Sequence, residues 1–269
     1  MKLSIITINY NNAEGLKKTL DSVITQTASG FEHIIIDGGS TDDSVNIIHD
    51  YANALHNQQD EFAVKWLSES DSGIYNAMNK GIDRACGDYL LFLNSGDCLY
   101  DDNVISSFFN TNPSKDIISG NTVFSDNKMR YAIKPEKLYF DYFVEDSLLH
   151  SSTFIKSDLF NKYGKYSESF RIVSDWEFWV KALICGNATY DTIDVIVSCF
   201  DVTGISNQEA FIEKQKKERN IVLTNYLGRV YPLYDELKEL RLVATEYKHL
   251  KKGKFGWLIK LILRIKSLK

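Results

Sequence analysis

The 269-residue sequence contains only 3 prolines and 4 cysteines, and both shortages exclude classes of protein. So few prolines rule out proline-rich linkers and collagen-like arrays. The cysteines form no C-x-x-C pair and lack the paired histidine spacing of zinc sites, which argues against a zinc site and a disulfide framework. We therefore expect reduced thiols at the four cysteines, which are Cys86, Cys98, Cys185 and Cys199.

Long apolar runs are also missing. No stretch approaches the ~20 apolar residues that a bilayer-spanning helix needs. The N-terminus lacks the apolar segment and small-residue cleavage site of a signal peptide. We therefore expect a cytoplasmic location, with peripheral contact to the inner face of the cell membrane as an open alternative.

Charge is unevenly distributed along the chain. The whole sequence carries 31 basic and 36 acidic residues, a net charge of -5. Residues 248–269 hold eight basic residues and no acid, which leaves residues 1–247 with 23 basic against 36 acidic residues, or -13. An acidic body argues against nucleic acid as the main partner and indicates a local anionic partner for the tail.

The tail at 254–269 has the pattern of a basic amphipathic helix. Such a helix can lie on an anionic membrane surface, or it can pack on the body or on a second copy in a homo-oligomer. Its apolar face comprises Trp257, Leu258, Leu261, Ile262, Ile265 and Leu268, and Lys254, Lys260 and Arg264 lie mostly opposite.

Residues 1–120 alternate short apolar runs, typical of buried strands, with amphipathic segments, typical of helices. The strands are predicted at 3–8, 31–36, 64–67 and 89–93, and the clearest helix at 73–85. This alternation predicts an α/β fold with a mainly parallel central sheet covered on both faces. Residues 208–250 are predicted to be helical, with a break around Gly228 and Pro232.

Polar clusters follow three of these strands, at 9–11, 37–42 and 94–97. Parallel sheets bind ligands outside the carboxyl ends of their strands. Asp37 can accept hydrogen bonds from a nucleobase or a ribose, although the polar residues of the same loop could instead cap the helix that follows it. Asn94 and Asp97 offer hard oxygen ligands that suit Mg²⁺ or Mn²⁺ carrying phosphates, with a simple polar turn as the alternative.

Three further polar residues are candidates for chemistry. Asp175 and Glu177 lie at a predicted helix start, where either could act as a general base or merely favour the helix dipole. His150 is either a structural histidine, a metal ligand or a diphosphate contact.

Four segments, 4–11, 37–42, 69–81 and 87–97, occur in an order and spacing that resemble family 2 glycosyltransferases of the GT-A fold. Within this family, the sequence resembles bacterial enzymes that build capsular, exopolysaccharide or O-antigen repeats. The strong match covers about residues 1–100, and a weaker one extends to about 185. The resemblance implies a nucleotide-sugar donor, most often a UDP-sugar, and inverting transfer to a hydroxyl of a glycan or polyprenyl-diphosphate-linked acceptor.

The resemblance also assigns roles to residues. Asp175 would be the catalytic base, and Asp97 with Asn94 would hold a divalent metal, Mn²⁺ or Mg²⁺, with His150 as a further metal candidate. Asp37 would contact the base. The other nucleotide-sugar-binding positions would be Thr7, Asn9, Tyr10, Asp71, Asn79 and Asn94.

Two positions depart from the family pattern. Asn94 replaces the commoner aspartate and lowers the charge of the metal site, and Gly38 replaces the second acid of the usual Asp-Asp-Gly-Ser motif. A catalytically inactive nucleotide-sugar-binding module therefore stays open as an alternative. A sugar-phosphate nucleotidyltransferase is a second alternative, although residues 9–12 do not supply the basic, glycine-rich loop expected of one.

The resemblance implies a GT-A type α/β/α sandwich with a helical C-terminal extension. We expect a catalytic domain at 1–205, with a nucleotide-sugar-binding half at 1–120 and an acceptor half at 121–205. The helical extension with the basic tail occupies 206–269.

Overall fold

A computed structural model describes residues 2–56, 63–124, 130–132, 138, 140–204, 209–228 and 230–252. The chain divides into two compact units, Met1–Arg219 and Asn220–Lys269. The predicted basic helix at 254–269 lies outside the described residues, and the predicted domain boundary after residue 205 stays a prediction.

The first unit is a mixed α/β structure built on one curled sheet, which confirms the predicted fold class. The strands are β1 (Leu3–Asn9), β2 (Phe31–Asp37), β3 (Ala63–Ser68), β4 (Tyr89–Phe92), β5 (Cys98–Leu99), β6 (Ile117–Phe124), β7 (Arg130–Ala132), β8 (Thr153–Lys156) and β9 (Tyr190–Phe200). The helices are α1 (Ala13–Ile24), α2 (Ser44–His56), α3 (Ile74–Arg84), α4 (Val104–Asn110), α5 (Phe140–Glu145), α6 (Asp158–Tyr163), α7 (Ser174–Trp179) and the first part of α8 (Ile212–Leu227).

The strand order is β3-β2-β1-β4-β8-β6-β9-β5, with β7 added beside β6. Neighbouring strands from β3 to β4 are parallel, as the alternation of strands and helices predicts. Beyond β4 the sheet is mixed, because β8 runs antiparallel to both β4 and β6 while β9 runs parallel to β6. The predicted strands at 3–8, 31–36, 64–67 and 89–93 are confirmed to within about a residue at each end.

The centre of the sheet is apolar and packed closely against α3. All seven residues of β1 are buried, as expected for a parallel strand covered on both faces. A Cβ added at Gly81 of α3 would lie 2.4 Å from Ile6 Cγ2, so only a glycine allows the helix to approach the strand this closely. This contact holds the C-terminal half of α3 against β1, whose carboxyl end lies at one edge of the sheet.

That edge carries the predicted polar loops. Asn9 and Asp37 are directly paired across β1 and β2. The Ser95 N–H donates to the Ile8 carbonyl (3.1 Å), which ties the 94–97 loop to the end of β1. The Asp201 N–H, just after β9, donates to Asp97 Oδ1 (2.7 Å). Four strand ends therefore bring their polar residues to one side of the sheet.

The second unit contains the end of α8 and α9 (Val230–Lys252). The predicted break is confirmed: Gly228 has a left-handed backbone (φ 49°) and ends α8. Pro232 lies in the first turn of α9, where its missing N–H removes no helical hydrogen bond. Within the described part of the chain, no helix combines the length and apolar character needed to cross a membrane.

Candidate active site

Asp37 anchors its own loop. Its Oδ1 accepts hydrogen bonds from Asn9 Nδ2 (2.8 Å) and Ser40 Oγ (2.5 Å), and its Oδ2 accepts from the Ser40 N–H (2.9 Å) and Ser68 Oγ (2.7 Å). Burial alone would raise the pKa of this carboxyl, but these hydrogen bonds, chiefly from Ser40, lower it below its usual value. Both carboxylate oxygens of Asp37 therefore accept hydrogen bonds from within the chain. The predicted contact of Asp37 with a nucleobase stays a prediction.

Thr7 is enclosed within the fold and is not among the residues that line the cavity described below, and its predicted nucleotide contact stays a prediction. The side chain is completely buried, and its hydroxyl donates to the Leu93 carbonyl (2.7 Å) and contacts His33 Nε2 (2.9 Å). His33 in turn meets the Tyr51 hydroxyl through Nδ1 (2.9 Å). Thr7 lies two residues before the strand ends, where neighbouring strands and helices enclose every side chain.

Asn79 also has a role that the sequence did not suggest. Its amide clamps the Tyr166 backbone, donating to the carbonyl (2.9 Å) and accepting from the N–H (3.1 Å), and it donates to Glu168 Oε1 (2.9 Å). The side chain is buried at this contact. Asn79 therefore fastens residues 166–168 onto α3 through its side-chain amide, and its predicted contact with the nucleotide-sugar stays a prediction.

Tyr10, Gly38 and Asp71 lie together beyond the ends of the first three strands. A Cβ added at Gly38 would lie 2.6 Å from Asp71 Oδ2 and 3.2 Å from Tyr10 Cδ2. The Tyr10 side chain is 66% exposed. The carboxylate that the sequence lacks at position 38 is therefore matched in space by the carboxylate of Asp71. An exposed aromatic face beside a carboxylate is suited to a nucleobase.

Four predicted residues, Asn94, Asp97, His150 and Asp175, line a cavity of about 260 Å³ in the first unit. Asn9 is not among the lining residues, because its buried side-chain amide donates to Asp37 and Ser40, and its predicted nucleotide contact stays a prediction. The charged and polar lining of the cavity includes Asn94, Asp97, His150, Arg171, Asp175 and Asp201. The cavity is smaller than a typical drug-sized ligand site but has the convergent polar groups of one.

Asp97 is a buried acid of the cavity. The side chain is 4% exposed, and burial raises the pKa of its carboxyl to about 7, although His150 opposes this effect. The Asp201 carboxylate lies near and also raises this pKa. Gly96 holds a left-handed backbone (φ 107°), and a Cβ there would lie 2.6 Å from Asp201 Oδ2, so glycine is needed for this approach.

Asn94 presents an unused acceptor next to Asp97. Its Oδ1 is buried and has no hydrogen-bond partner among the described residues, while its Nδ2 contacts His150 Nε2 (3.1 Å). A buried acceptor without a partner is costly unless a ligand satisfies it. Within the described chain no three His, Cys, Asp or Glu residues form a ready metal site. Mg²⁺ and Mn²⁺ sites of phosphate-transferring enzymes need only one or two protein carboxylates, so Asp97 and Asn94 fit such an ion.

Asp175 lies at the start of α7 and is held from two sides. Tyr75 donates from its hydroxyl to Oδ1 (2.9 Å), and His150 Nδ1 lies 3.4 Å from Oδ2. Burial would raise the pKa of Asp175, but the hydrogen bond and charge of His150 lower it. Asp175 in turn raises the pKa of His150 against the opposing effect of burial. The pair therefore favours an ionised carboxylate.

His150 bridges the two halves of the cavity, since its ring contacts Asn94 through one nitrogen and Asp175 through the other. With both nitrogens engaged, the geometry argues against His150 as a metal ligand. Glu177, the other candidate base, has its carboxylate 3.8 Å from Lys181 Nζ and does not line the cavity.

Tyr75, Arg171 and Asp201 also line the cavity, although the sequence patterns did not single them out. Asp201 carries the same signal as Asp37 and Asn94, a polar residue directly after an apolar strand, and could have been found by it. Tyr75 and Arg171 carry no such signal. The Arg171 guanidinium lies over the Phe211 ring (5.4 Å), and its backbone N–H donates to Glu218 Oε1 (3.1 Å).

Comparison with known proteins agrees with this architecture. Residues 4–168 match the model of the family described as glycosyl transferase family 2. The chain is 29% identical over 210 residues to a PGL/p-HBAD biosynthesis glycosyltransferase of Mycobacterium bovis, covering 76% of this chain and 78% of that protein. It is 35% identical over 213 residues to an uncharacterized glycosyltransferase of Mycobacterium tuberculosis, covering 76% and 77%.

Solved structures share the fold at low identity. A complex of residues 1–349 of S. aureus TarS with UDP superposes with a TM-score of 0.60 at 19% identity, covering 75% of this chain and 61% of that chain. The mannosyltransferase PcManGT of Pyrobaculum calidifontis, in complex with GDP-Man and Mn²⁺, gives a TM-score of 0.60 at 14% identity, covering 86% and 64%.

Proposed function

The chain belongs to glycosyl transferase family 2 and is a glycosyltransferase; from this membership we propose that it moves a sugar from a UDP-sugar to an acceptor hydroxyl with inversion at the anomeric carbon. The observation that carries the proposal is the cavity in which Asp175 and the Asn94–Asp97 pair face each other across His150.

Asp175 is the general base of the proposed reaction. The acceptor hydroxyl is a poor nucleophile until its proton is removed, and the Asp175 carboxylate takes that proton as the oxygen attacks the anomeric carbon. The bond to the nucleoside diphosphate breaks on the opposite face, which gives inversion. Tyr75 and His150 hold the carboxylate in place and keep it ionised.

Asp97 and Asn94 would hold a divalent cation, Mn²⁺ or Mg²⁺, through a carboxylate oxygen and the unused Asn94 Oδ1. When bound, the ion supplies positive charge to the departing diphosphate. Arg171 adds a side-chain cation at the same cavity. Such support is needed because Asp97, Asp175 and Asp201 would otherwise repel a diphosphate.

We propose that the nucleoside binds where the Tyr10 ring and the Asp71 carboxylate flank Gly38. A UDP-sugar is favoured by the likeness to TarS, which has been solved with UDP and with UDP-GlcNAc. For the acceptor we propose a glycan or a polyprenyl-diphosphate-linked glycan in surface-polysaccharide synthesis. The mycobacterial relative, named as a glycosyltransferase of PGL/p-HBAD biosynthesis, supports an acceptor of this general class.

A panel of UDP-sugars and GDP-mannose tests the proposal. We expect Mn²⁺-dependent nucleotide release with one donor, rising when a hydroxyl-bearing lipid-linked acceptor is added. The matched control is Asp175→Asn, which should bind the same donor without transferring it. Donor binding with no turnover in the wild-type protein under any condition would instead identify an inactive binding module.

We further propose that the basic tail at 254–269 brings the enzyme to the inner face of the membrane, where a lipid-linked acceptor resides. The support is its sequence, in which eight basic residues from 248 onward accompany a broad apolar face. Sedimentation with anionic vesicles tests this point. Pelleting should fall when Leu261 and Ile265 are both changed to Glu, and equal pelleting of variant and wild type would contradict membrane contact.

A further inference from the structure

Helix α9 exposes a regular row of apolar side chains. Val230, Leu233, Leu237 and Leu240 are 64%, 58%, 54% and 64% exposed, and Ala244 is also exposed. Large apolar side chains left in water on one face of a helix mark a surface that another element covers. None of these residues lines the cavity, so the proposed transfer reaction does not explain their exposure.

The spacing of the row is that of a coiled coil. Successive members are 3, 4, 3 and 4 residues apart, which places Val230, Leu237 and Ala244 at a positions and Leu233 and Leu240 at d positions of a heptad. Leucine occupies both d positions, and the first a position is the β-branched Val230, a combination that favours two strands, whereas Leu237 and Ala244 at the other a positions carry no such preference. The seam runs for two heptads along a helix of 23 residues.

Charges beside the seam favour a particular partner. Glu236 occupies a g position and Arg241 the following e position. In a parallel pair of identical helices, each g position faces the e position five residues later on the other helix, so Glu236 of one copy meets Arg241 of the other. An antiparallel pair would instead set g against g and e against e, which brings together like charges.

An anionic membrane is a poorer partner for this row. Residues 230–247 contain four acids, Asp235, Glu236, Glu239 and Glu246, against two bases, Lys238 and Arg241. Negative lipid headgroups would repel this net charge, in contrast to the basic residues that begin at Lys248.

From the heptad spacing and the complementary flanking charges we propose that the α9 seam, formed by Val230, Leu233, Leu237, Leu240 and Ala244, binds the same seam of a second copy of this chain in a parallel two-stranded coiled coil. Two heptads bury less area than a standard interface, so the dimer forms at ~1–100 µM rather than at nanomolar concentrations. The inference is independent of the proposed transfer reaction.

Mass measurement of the full chain by light scattering during size exclusion tests the proposal. Across ~1–200 µM protein we expect the mass to rise from the 30.8 kDa of one chain toward twice that value. Leu237→Glu places two like charges in the seam and should weaken association by at least about tenfold. Helix content by circular dichroism checks that the variant still folds.

Leu242→Glu is the matched control. Leu242 is 59% exposed on the same helix but lies at the f position, outside the seam. It should leave the dimer constant within about twofold. If both substitutions weaken association equally, the surface acts by unspecific hydrophobic contact and the proposed seam is wrong.

Charge exchange tests the orientation. Glu236→Arg and Arg241→Glu should each weaken the dimer, and the double exchange should restore it, because only a parallel pair recreates opposite charges. Failure of the double variant to recover overturns the parallel arrangement. A wild-type mass that stays at one chain at ~200 µM, or that reaches three chains, overturns the two-stranded dimer. Vesicle pelleting that depends on Leu237 in a strictly monomeric protein would assign the seam to a membrane instead.

Discussion

Two regions of the same sheet each contain a histidine and an aspartate, but they satisfy the aspartate in different ways. In the closed region, formed by β1 and β2, Asp37 accepts four hydrogen bonds, and His33 contacts the hydroxyls of Thr7 and Tyr51. In the cavity, burial raises the pKa of Asp97 to about 7, and His150 contacts the Asp175 carboxylate through Nδ1. A satisfied carboxylate stabilises the fold, whereas an acid kept under-satisfied is available for ligands and protons.

The largest effect on activity should come from substitution of Asp175, the proposed general base. Asp175→Asn keeps the size and the hydrogen bond from Tyr75 but cannot accept the acceptor proton, so kcat should fall by ~10²–10⁴-fold. Transfer rates and nucleotide affinity measured on the same preparation check this. Unchanged kcat would remove Asp175 from the role of base and erase the contrast between the two regions.

A smaller loss should follow at the proposed metal position. Asp97→Asn removes the buried carboxylate and should lower activity at limiting Mn²⁺ by about 10–100-fold, with partial recovery at high metal concentration. Treatment of the wild type with a chelator should abolish transfer, and Mn²⁺ or Mg²⁺ should restore it. Full activity of the variant in the presence of chelator would contradict metal binding by Asp97.

A substitution in the closed region should lower the free energy of unfolding rather than the turnover rate. Asp37→Asn turns an acceptor into a donor that faces the Ser40 N–H, and we expect a loss of about 3 kcal/mol in unfolding free energy. Denaturant titration measures it, with kcat of the remaining folded enzyme as the second readout. A normal stability combined with lost nucleotide binding would instead support the predicted contact of Asp37 with the base.

The histidines should give pH effects of opposite sign. Burial lowers the pKa of His33 to about 3, so below pH ~6.5 the unfolded chain binds a proton that the folded chain refuses. This group should therefore cost about 2 kcal/mol of stability between pH 7 and pH 5. His150, whose pKa is raised, stabilises the fold below pH ~6.5 and loses this contribution as pH rises through its folded pKa.

Denaturant titrations of His33→Gln and the wild type at pH 7, 6 and 5 measure the effect. The variant should be less stable at pH 7 because it loses the ring contacts with Thr7 and Tyr51, but its stability should fall less steeply toward pH 5. Parallel pH curves for the two proteins would show that His33 already takes up its proton in the folded state.

Much of the fold could be predicted from sequence because β1, β2 and β4 are short runs rich in apolar residues, and their ends identify the polar loops. The burial of these strands also explains why the enclosed position of Thr7 could not be predicted. On a strand enclosed on both faces, the pattern does not show which polar residue points toward a ligand and which toward a neighbouring side chain. Only the structure shows that the Thr7 hydroxyl is used by Leu93, 86 residues away.

Other features that the sequence did not predict involve contacts distant in sequence. Asn79 lies off the apolar stripe of α3 and therefore reads as exposed, but residues 87 positions later cover it. Asp201 meets Asp97 across 104 residues and follows the mixed part of the sheet, whose strand order the periodicity does not reveal. The roles of Asn94, Asp97 and Asp175 stay predictions, although the structure brings all three residues to one cavity.

A crystal structure of the protein with UDP and Mn²⁺ tests the central claim most directly. The account predicts an anomalous Mn²⁺ peak within ~2.5 Å of oxygens from Asp97 and Asn94, with the diphosphate in the cavity that also contains Asp175. A diphosphate bound away from that cavity, or a metal ion held without Asp97, would contradict it.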